Sequence, residues 1–441
     1  PPPPPPPFFF QPHAGTPDAQ ESRGLGDVYK RQKIVYRILK EFQDIQGAIS
    51  ISGSKSESNR LILLRAYTYY FKIFNLSDSD DTQLMLSAIE SDKKEINIGH
   101  AGTAMRFLTS YYSSISENSK VLTGSNRMKQ RPISILVDAL KDLGCDIEYI
   151  EKSGFPPLKI NGKNILTNSV TLPANVSSQY ISSLMMLGVS LENGLKIKLS
   201  SEITSLPYIL MTKKIIERIG GTSKIHDRDI TIEPLTEKVI PEQFVESDWS
   251  SASYFFSIAA LSKSARLTLS TFFKDSLQGD STLVDIYKIF GIETIFEEDH
   301  IILSKNKIDL PKSINLNLKD SPDLAQTIIV TCLGLGVDCT LDGLHTLKIK
   351  ETDRLVALKN EIEKFNVDKV EITENSITLE NNSNLEHEVV IDTYNDHRMA
   401  MSFAPLSLLV PIKINNPEVV TKSYVNFWND LESLGFNILK K

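Results

Sequence analysis

The sequence predicts an α/β fold made of six repeated units of βαβαββ type, shared between two domains. Three observations carry that expectation. Amphipathic helical patterns stop on Gly144, Gly220, Gly291, Asn366 and Gly435, so a helix ends about every seventy residues. After most of these stops come two strand patterns with a turn between them. Between the amphipathic helices lie six segments that are apolar almost all round and rich in small residues, as helices buried on every side must be. About four hundred residues exceed one comfortable core, so the units are expected to divide between two domains.

In chain order, Pro1 to Pro7, Phe8 to Phe10 and a polar run to Gln32 show no periodicity. Residues 1–32 are expected to be a disordered or artefactual extension, with the folded chain starting near Lys33. The amphipathic helices read as Ile133, Leu136, Val137 and Leu140; Met211, Ile215 and Ile219; Leu283, Ile286, Tyr287 and Phe290; Leu355, Leu358, Ile362 and Phe365; and Tyr424, Phe427, Leu431 and Leu434. Strand pairs follow at Ser223 to His226 with Asp229 to Ile232, at Glu293 to Phe296 with His300 to Leu303, and at Lys369 to Thr373 with Ser376 to Leu379. The buried helices read as Leu61 to Ala66, Ala104 to Tyr112, Tyr180 to Val189, Ala252 to Leu261, Leu324 to Leu335 and Met399 to Leu409. The first interval between them is short, which marks a trimmed first unit.

Composition narrows the partners. With 41% hydrophobic and 23% charged residues and a formal net charge of −7, the chain is ordinary for a globular protein and unsuited to wrapping nucleic acid or an anionic membrane. Its most apolar late stretch, Phe403 to Ile412, holds two prolines and is too short to span a bilayer. Cys145, Cys332 and Cys339 show no metal spacing and cannot all pair, so they are read as reduced structural thiols of a cytoplasmic protein.

The chemistry concentrates where the buried helices begin. Each is preceded by a polar stretch: G-S-K-S-E-S-N-R (Gly53 to Arg60), G-H-A-G-T, V-S-S-Q, S-D-W-S-S-A-S, D-S-P-D and T-Y-N-D-H-R. Capping of the first N–H groups explains Ser177, Ser250 and Ser251. It leaves Lys55, Arg60, Arg106, Gln179, His397 and Arg398 unexplained, because a buried cation needs a partner. Helix N-termini that converge on one cleft would form an anion site, and an anionic ligand would supply that partner. The starts of the amphipathic helices add Arg127, Lys129 and Arg131, then Ser205 and Tyr208, then Lys350, Glu351 and Arg354, then Lys422. Singly these read as solvated first turns. Together they outline two anion sites with Asp323, Glu351 and His397 as acid/base groups among them.

Six of these motifs, in this order, resemble the 3-phosphoshikimate 1-carboxyvinyltransferase (EPSP synthase) family. They are Gly53 to Arg60, Gly102 to Arg106, L-T-G-S-N-R-M-K-Q-R-P from Leu122, Val176 to Gln179, K-E-T-D-R from Lys350 and Y-N-D-H-R-M-A-M from Tyr394. The resemblance covers essentially everything after Lys33. It implies an inside-out α/β barrel fold in which the chain crosses twice, so that residues 33–51 and 247–441 form one domain and 52–246 the other, with the substrates between them. The implied reaction moves the enolpyruvyl group of phosphoenolpyruvate to the 5-hydroxyl of shikimate 3-phosphate and releases phosphate, with no metal and no cofactor.

Position by position, the resemblance implies Lys55, Ser56, Arg60, Ser177, Ser178, Gln179, Ser205, Asp323 and Lys350 as ligands of shikimate 3-phosphate. It implies Lys55, Gly102, Arg127, Gln179, Arg354, Arg398 and Lys422 as ligands of phosphoenolpyruvate. Asp323 matches the proton acceptor, and Glu351, with Lys55 or His397 nearby, is the candidate proton donor. Three positions depart from the family pattern: His100 where Asn is usual, Phe107 where Pro is frequent, and Thr346 where Asn often touches the sugar-like substrate. An active site held within one chain requires no partner, so a monomer is expected. The alternative in the same fold, UDP-N-acetylglucosamine 1-carboxyvinyltransferase, uses a cysteine in a glycine-containing loop, and no cysteine here occupies such a loop. The alternative outside catalysis is an anion-binding module, which would need the cations but not the carboxylates.

Overall fold

The computed structural model describes residues 34–115, 119–165, 167–174, 177–201, 203, 205–382 and 384–440. The extension 1–32, Lys33, Val176 of the V-S-S-Q stretch and Lys441 lie outside the described residues.

One connectivity recurs through the chain. A short strand leads into a buried helix, which returns to a second strand parallel to the first, and two further strands complete the sheet antiparallel. In the simplest instance Glu95–Asn97 pairs parallel with Ser119–Thr123, which pairs antiparallel with Leu158–Asn161 and through it with Asp146–Tyr149. Four more four-stranded sheets among the described residues have the same order and sense, built on Ser169–Leu172, Asp44–Ile49, Ser313–Asn317 and Val389–Ile391. In the last sheet the strand next to Ile412–Asn415 is Val35–Leu39 from the start of the described chain, with Asn437–Lys440 beyond it. A parallel pair needs a crossover, and a buried helix supplies it; in the sheet built on Asp44–Ile49 the connection to Ser264–Ser270 also takes in the rest of residues 50–263.

The buried helices are α1 (Lys55–Tyr67), α2 (Gly102–Ser114), α3 (Ser178–Gly188), α4 (Trp249–Leu261), α5 (Ala325–Leu335) and α6 (His397–Phe403). The sequence pattern carried the last one on to Leu409. The helix stops at Phe403 and continues as a 3₁₀ turn, Ala404–Leu408, because Pro405 has no N–H to give and its ring obstructs the preceding turn. The amphipathic helices end as expected, on left-handed residues: Gly144, Gly220, Gly291, Asn366 and Gly435 all have positive φ.

Helices α1, α2 and α3 pack on one another, as do α4, α5 and α6. Their apolar residues fall into two separate clusters. One includes Leu61–Leu64, Phe107, Leu108 and Leu184. The other takes in Ile38, Ile45 and Ile49 together with Trp249, Phe255, Ile328 and Phe403. Hydroxyls inside each trio bond across helices where the repeats coincide: Ser110 with Ser183 at 2.6 Å, and Ser253 with Thr327 at 3.0 Å, which reaches Ser402 at 3.3 Å. Small polar residues let the backbones approach while these hydroxyls satisfy one another.

Residues of the two clusters are joined by two neighbouring segments around Gly53 and Ser247, which form an antiparallel bridge. Ser54 N–H donates to Glu246 O at 2.7 Å and Asp248 N–H to Ser52 O at 3.2 Å. A Cβ on Gly53 would stand 1.7 Å from the carbonyl oxygen of Asn75, so only glycine fits this close crossing.

Candidate active site

The starts of the buried helices open onto a single cleft that encloses about 1290 Å³ of empty space, part of it open to solvent. Lys55, Ser56, Arg60, Gly102, Ser177, Ser178, Gln179, Ser205, Asp323, Lys350, Glu351, Arg354, His397 and Arg398 all line it. Arg127 and Lys422 line an adjoining hollow with His100 and Tyr394, and Glu351 and Arg131 border both spaces.

Local structure explains how each side chain is held. Ser177 caps α3 by accepting from Gln179 N–H, as the sequence implies. Ser250 and Ser251 do not cap α4. Asp248 does so, accepting from Ser251 N–H at 2.8 Å, because it stands at the N-cap position while Ser250 and Ser251 already lie within the first turn. The other oxygen of Asp248 accepts from Lys55 N–H at 3.3 Å, so one carboxylate ties the first turns of α1 and α4 together. Ser250 instead donates to Asp280.

On the α1–α3 side, Arg60 is 2% exposed, yet its hydrogen-bond partners are neutral: Thr212 Oγ1 at 2.7 Å, Ser56 O at 2.8 Å and Ser182 Oγ at 3.1 Å. Its guanidinium lies between the rings of Phe107 and Tyr208, with centroids 5.6 and 5.9 Å from Cζ. That contact gives the unusual Phe107 a role in holding the arginine. Arg106 likewise meets only carbonyls, Gly102 O and Pro132 O, each at 3.1 Å, apart from the sulfur of Met128. Burial lowers the pKa of both arginines to about 10. Arg127 bonds to the carbonyls of Glu351 and Lys350 at 3.1 and 3.0 Å. Lys55 pairs with Asp81, Nζ to Oδ2 at 3.3 Å.

On the α4–α6 side the charges are paired. Arg354, 2% exposed, reaches Asp396 at 2.7 Å, Asp323 at 2.8 Å and Glu351 at 2.9 Å. Asp323 also meets Arg398 at 3.2 Å and Lys350 at 3.5 Å, while Glu351 meets Lys422 at 3.0 Å. Burial alone would raise both carboxyls, but Arg398, Lys350 and Arg354 outweigh it at Asp323, as Lys422, Arg354 and Arg131 do at Glu351, and both are held well below the usual carboxylate range. Lys350 is lowered, chiefly by burial. His397 is pushed far down by burial and by Lys55, and neither ring nitrogen has a hydrogen-bond partner. Asp396 caps α6 through Arg398 N–H at 2.9 Å. The two residues before it, Tyr394 and Asn395, are both left-handed.

Sequence reading left out Asp81, Thr103, Tyr254 and Asp280, which the fold brings to this cleft or its edge. Asp81 follows three acidic and serine residues and looks like an ordinary helix start, so only the fold reveals its pairing with Lys55. Thr103 accepts from Gln179 Nε2 at 3.1 Å. Thr346 lines the cleft, and its hydroxyl is buried without a partner. Among the described residues no three His, Cys, Asp or Glu side chains form a metal-ligand group. No described helix is long and apolar enough to cross a membrane.

Arginines without anions, beside carboxylates held ionised in a cleft, define a protein that binds a small polyanion and can move protons on it. Comparison with known proteins gives that class a family. The family model for EPSP synthase (3-phosphoshikimate 1-carboxyvinyltransferase) matches residues 87–431. A 3-phosphoshikimate 1-carboxyvinyltransferase of Bacteroides fragilis is 44% identical over 402 residues, 89% of this chain and 96% of its own. One from Vibrio cholerae is 34% identical over 426 residues, 90% of this chain and 98% of its own. Among solved structures, EPSP synthase from Acinetobacter baumannii superimposes with a TM-score of 0.76 at 21% identity, covering 92% of this chain and all of that one. The enolpyruvyl transferase NikO from Streptomyces tendae does so with 0.71 at 12% identity, over 93% and 99%. The chain belongs to the EPSP synthase family.

Proposed function

We propose that the chain transfers the enolpyruvyl group of phosphoenolpyruvate to the 5-hydroxyl of shikimate 3-phosphate, releasing phosphate, in the cytoplasm and as a monomer. The observation that carries this reading is the division of the cleft into unneutralised arginines and an ionised carboxylate network. The unpaired cations of the first call for anionic substrates, and the second, whose cations also reach those substrates, supplies the groups that proton transfer needs.

In this reading Arg60, Ser56, Ser177, Ser178, Ser205, Asp323 and Lys350 hold shikimate 3-phosphate, with Lys55 and Gln179 shared between the substrates. Gly102, Arg127, Arg354, Arg398 and Lys422 hold phosphoenolpyruvate. Asp323 accepts the 5-hydroxyl proton as the oxygen attacks C2 of phosphoenolpyruvate, and a proton is delivered to the methylene carbon. Breaking the C–O bond to phosphate and removing a methyl proton then restore the double bond. Glu351 is ionised before substrate arrives, so it acts as proton donor only after the substrate's anionic groups draw Lys422 and Arg354 away and its pKa rises. His397, neutral beside it, orients this exchange.

The two apolar clusters are read as two domains, 33–51 with 247–441 and 52–246. The five like-ordered sheets, with α1 and the short pair Ile73–Phe74 and Gln243–Phe244 as a trimmed sixth unit, are read as an inside-out barrel of six repeats. Use of UDP-N-acetylglucosamine is disfavoured because Cys145, Cys332 and Cys339 are all buried and none lines the cleft.

The test is phosphate release from phosphoenolpyruvate, with and without shikimate 3-phosphate, beside Asp323→Ala. Release should require shikimate 3-phosphate and fall about 10³-fold in the variant. Release with UDP-N-acetylglucosamine instead, or no release at all, would overturn the assignment.

A further inference from the structure

Arg131 has no counterpart in the reading above. It closes the 3₁₀ turn Met128–Gln130, and its own N–H bonds to Met128 O at 3.0 Å. The carbonyl of the next residue, Pro132, accepts from Arg106 at 3.1 Å and from Tyr180 Oη at 2.7 Å, so the backbone at Arg131 is fixed on both sides. The side chain is different. Its Nε is buried and unpartnered, and the guanidinium makes no hydrogen bond or ion pair with any described residue. Glu351, the carboxylate at the border it shares, is already occupied by Arg354 and Lys422.

The guanidinium lies directly over Gly102. A Cβ there would stand 2.5 Å from its Nη1 and 3.0 Å from Cζ and Nη2. Gly102 is also the first residue of α2, whose N-cap, Ala101, has no side chain that can cap it. An uncapped helix start and an unpaired guanidinium therefore face the same small space, which opens to both the cleft and the adjoining hollow. A half-buried guanidinium whose Nε is shut off from water without a partner is poorly satisfied, and an anion seated between them would satisfy both groups.

We propose that Arg131 binds the anionic groups of phosphoenolpyruvate and that residue 102 is glycine because this guanidinium lies across it. The proposal rests on the reading of the cleft given above. It makes Gly102 a clearance for an arginine, so a side chain at 102 harms binding by displacing Arg131.

Steady-state kinetics and phosphoenolpyruvate titration in the presence of shikimate 3-phosphate test this with Arg131→Ala, Arg131→Lys, Gly102→Ala and the double variant Gly102→Ala/Arg131→Ala. Arg131→Ala should raise KM and Kd for phosphoenolpyruvate about 10- to 100-fold, with KM for shikimate 3-phosphate within about twofold. Arg131→Lys should recover part of the loss and guards against a folding defect in the alanine variant. Gly102→Ala should cost about tenfold alone but less than about twofold on top of Arg131→Ala. An unchanged KM for phosphoenolpyruvate in Arg131→Ala, or an equal cost of Gly102→Ala in both backgrounds, overturns the proposal. Arg127→Ala separates the two levels. If it weakens phosphoenolpyruvate while Arg131→Ala does not, only the role of Arg131 fails. If neither does, the reading of the cleft fails with it.

Discussion

The two walls of the cleft use charge in opposite ways. The α1–α3 wall hydrogen-bonds Arg60, Arg106 and Arg127 to neutral groups alone, whereas the α4–α6 wall binds Arg354, Arg398 and Lys350 into a web with Asp323, Glu351 and Asp396. The first wall is incomplete until an anion arrives, and the second is complete without one. Cations on the first wall should therefore serve binding with little part in stability, whereas those on the second serve fold integrity and proton chemistry as well as binding.

The sharpest way to break this contrast is to remove one buried arginine from each wall. Arg354→Met leaves three buried carboxylates short of a cation and should destabilise the protein by about 3–5 kcal/mol, read as a shift in the urea midpoint. Arg60→Met removes a cation that no carboxylate hydrogen-bonds, though Glu57 feels its charge and is also served by Arg218. It should cost within about 1.5 kcal/mol of stability, since Thr212 and Ser182 still bond each other at 2.8 Å, while raising KM for shikimate 3-phosphate about 100-fold. If both variants lost stability equally, the distinction between the walls would be wrong.

A smaller effect sharpens the contrast at its margin. Glu57, on α1, is 1% exposed, and burial with repulsion from Glu246 raises its pKa from 4.5 to about 7, despite Arg218 at 3.4 Å. Between those values the folded protein holds a proton that the unfolded chain has released, so this group stabilises fully below about pH 4.5 and its contribution is lost as pH rises through 7. Glu57→Gln should abolish that decline, on the order of 3 kcal/mol, in unfolding titrations from pH 4.5 to 8. An unchanged slope would mean that Glu57 is ionised in the fold.

The contrast also shows what one chain of letters can disclose. Helix ends were legible because a left-handed stop is local: Gly144 or Gly435 announces itself without reference to the rest of the chain. The cations at buried helix starts were legible as an inconsistency, since Arg60 and Arg398 sit in apolar surroundings that solvent cannot explain. Sheet partners were less so. Val35–Leu39 lies between strands near the far end of the chain, and nothing in its five residues specifies them. Nor did the order of residues distinguish Lys129, whose partner is Glu151 on the surface, from Arg131 two positions on, because whether a charge meets water or a cleft depends on elements distant in sequence.

The bridge between Gly53 and Ser247 gives the chain a property apart from chemistry. The nearly two hundred residues between these positions leave and return through one doorway, two peptides wide, so the earlier and later parts of the chain meet there as if the intervening stretch were absent. Such a stretch behaves as a closed parenthesis: its ends are already side by side, and a graft, an exchange between relatives or a circular permutation cut at that point would leave every sheet with its own strands.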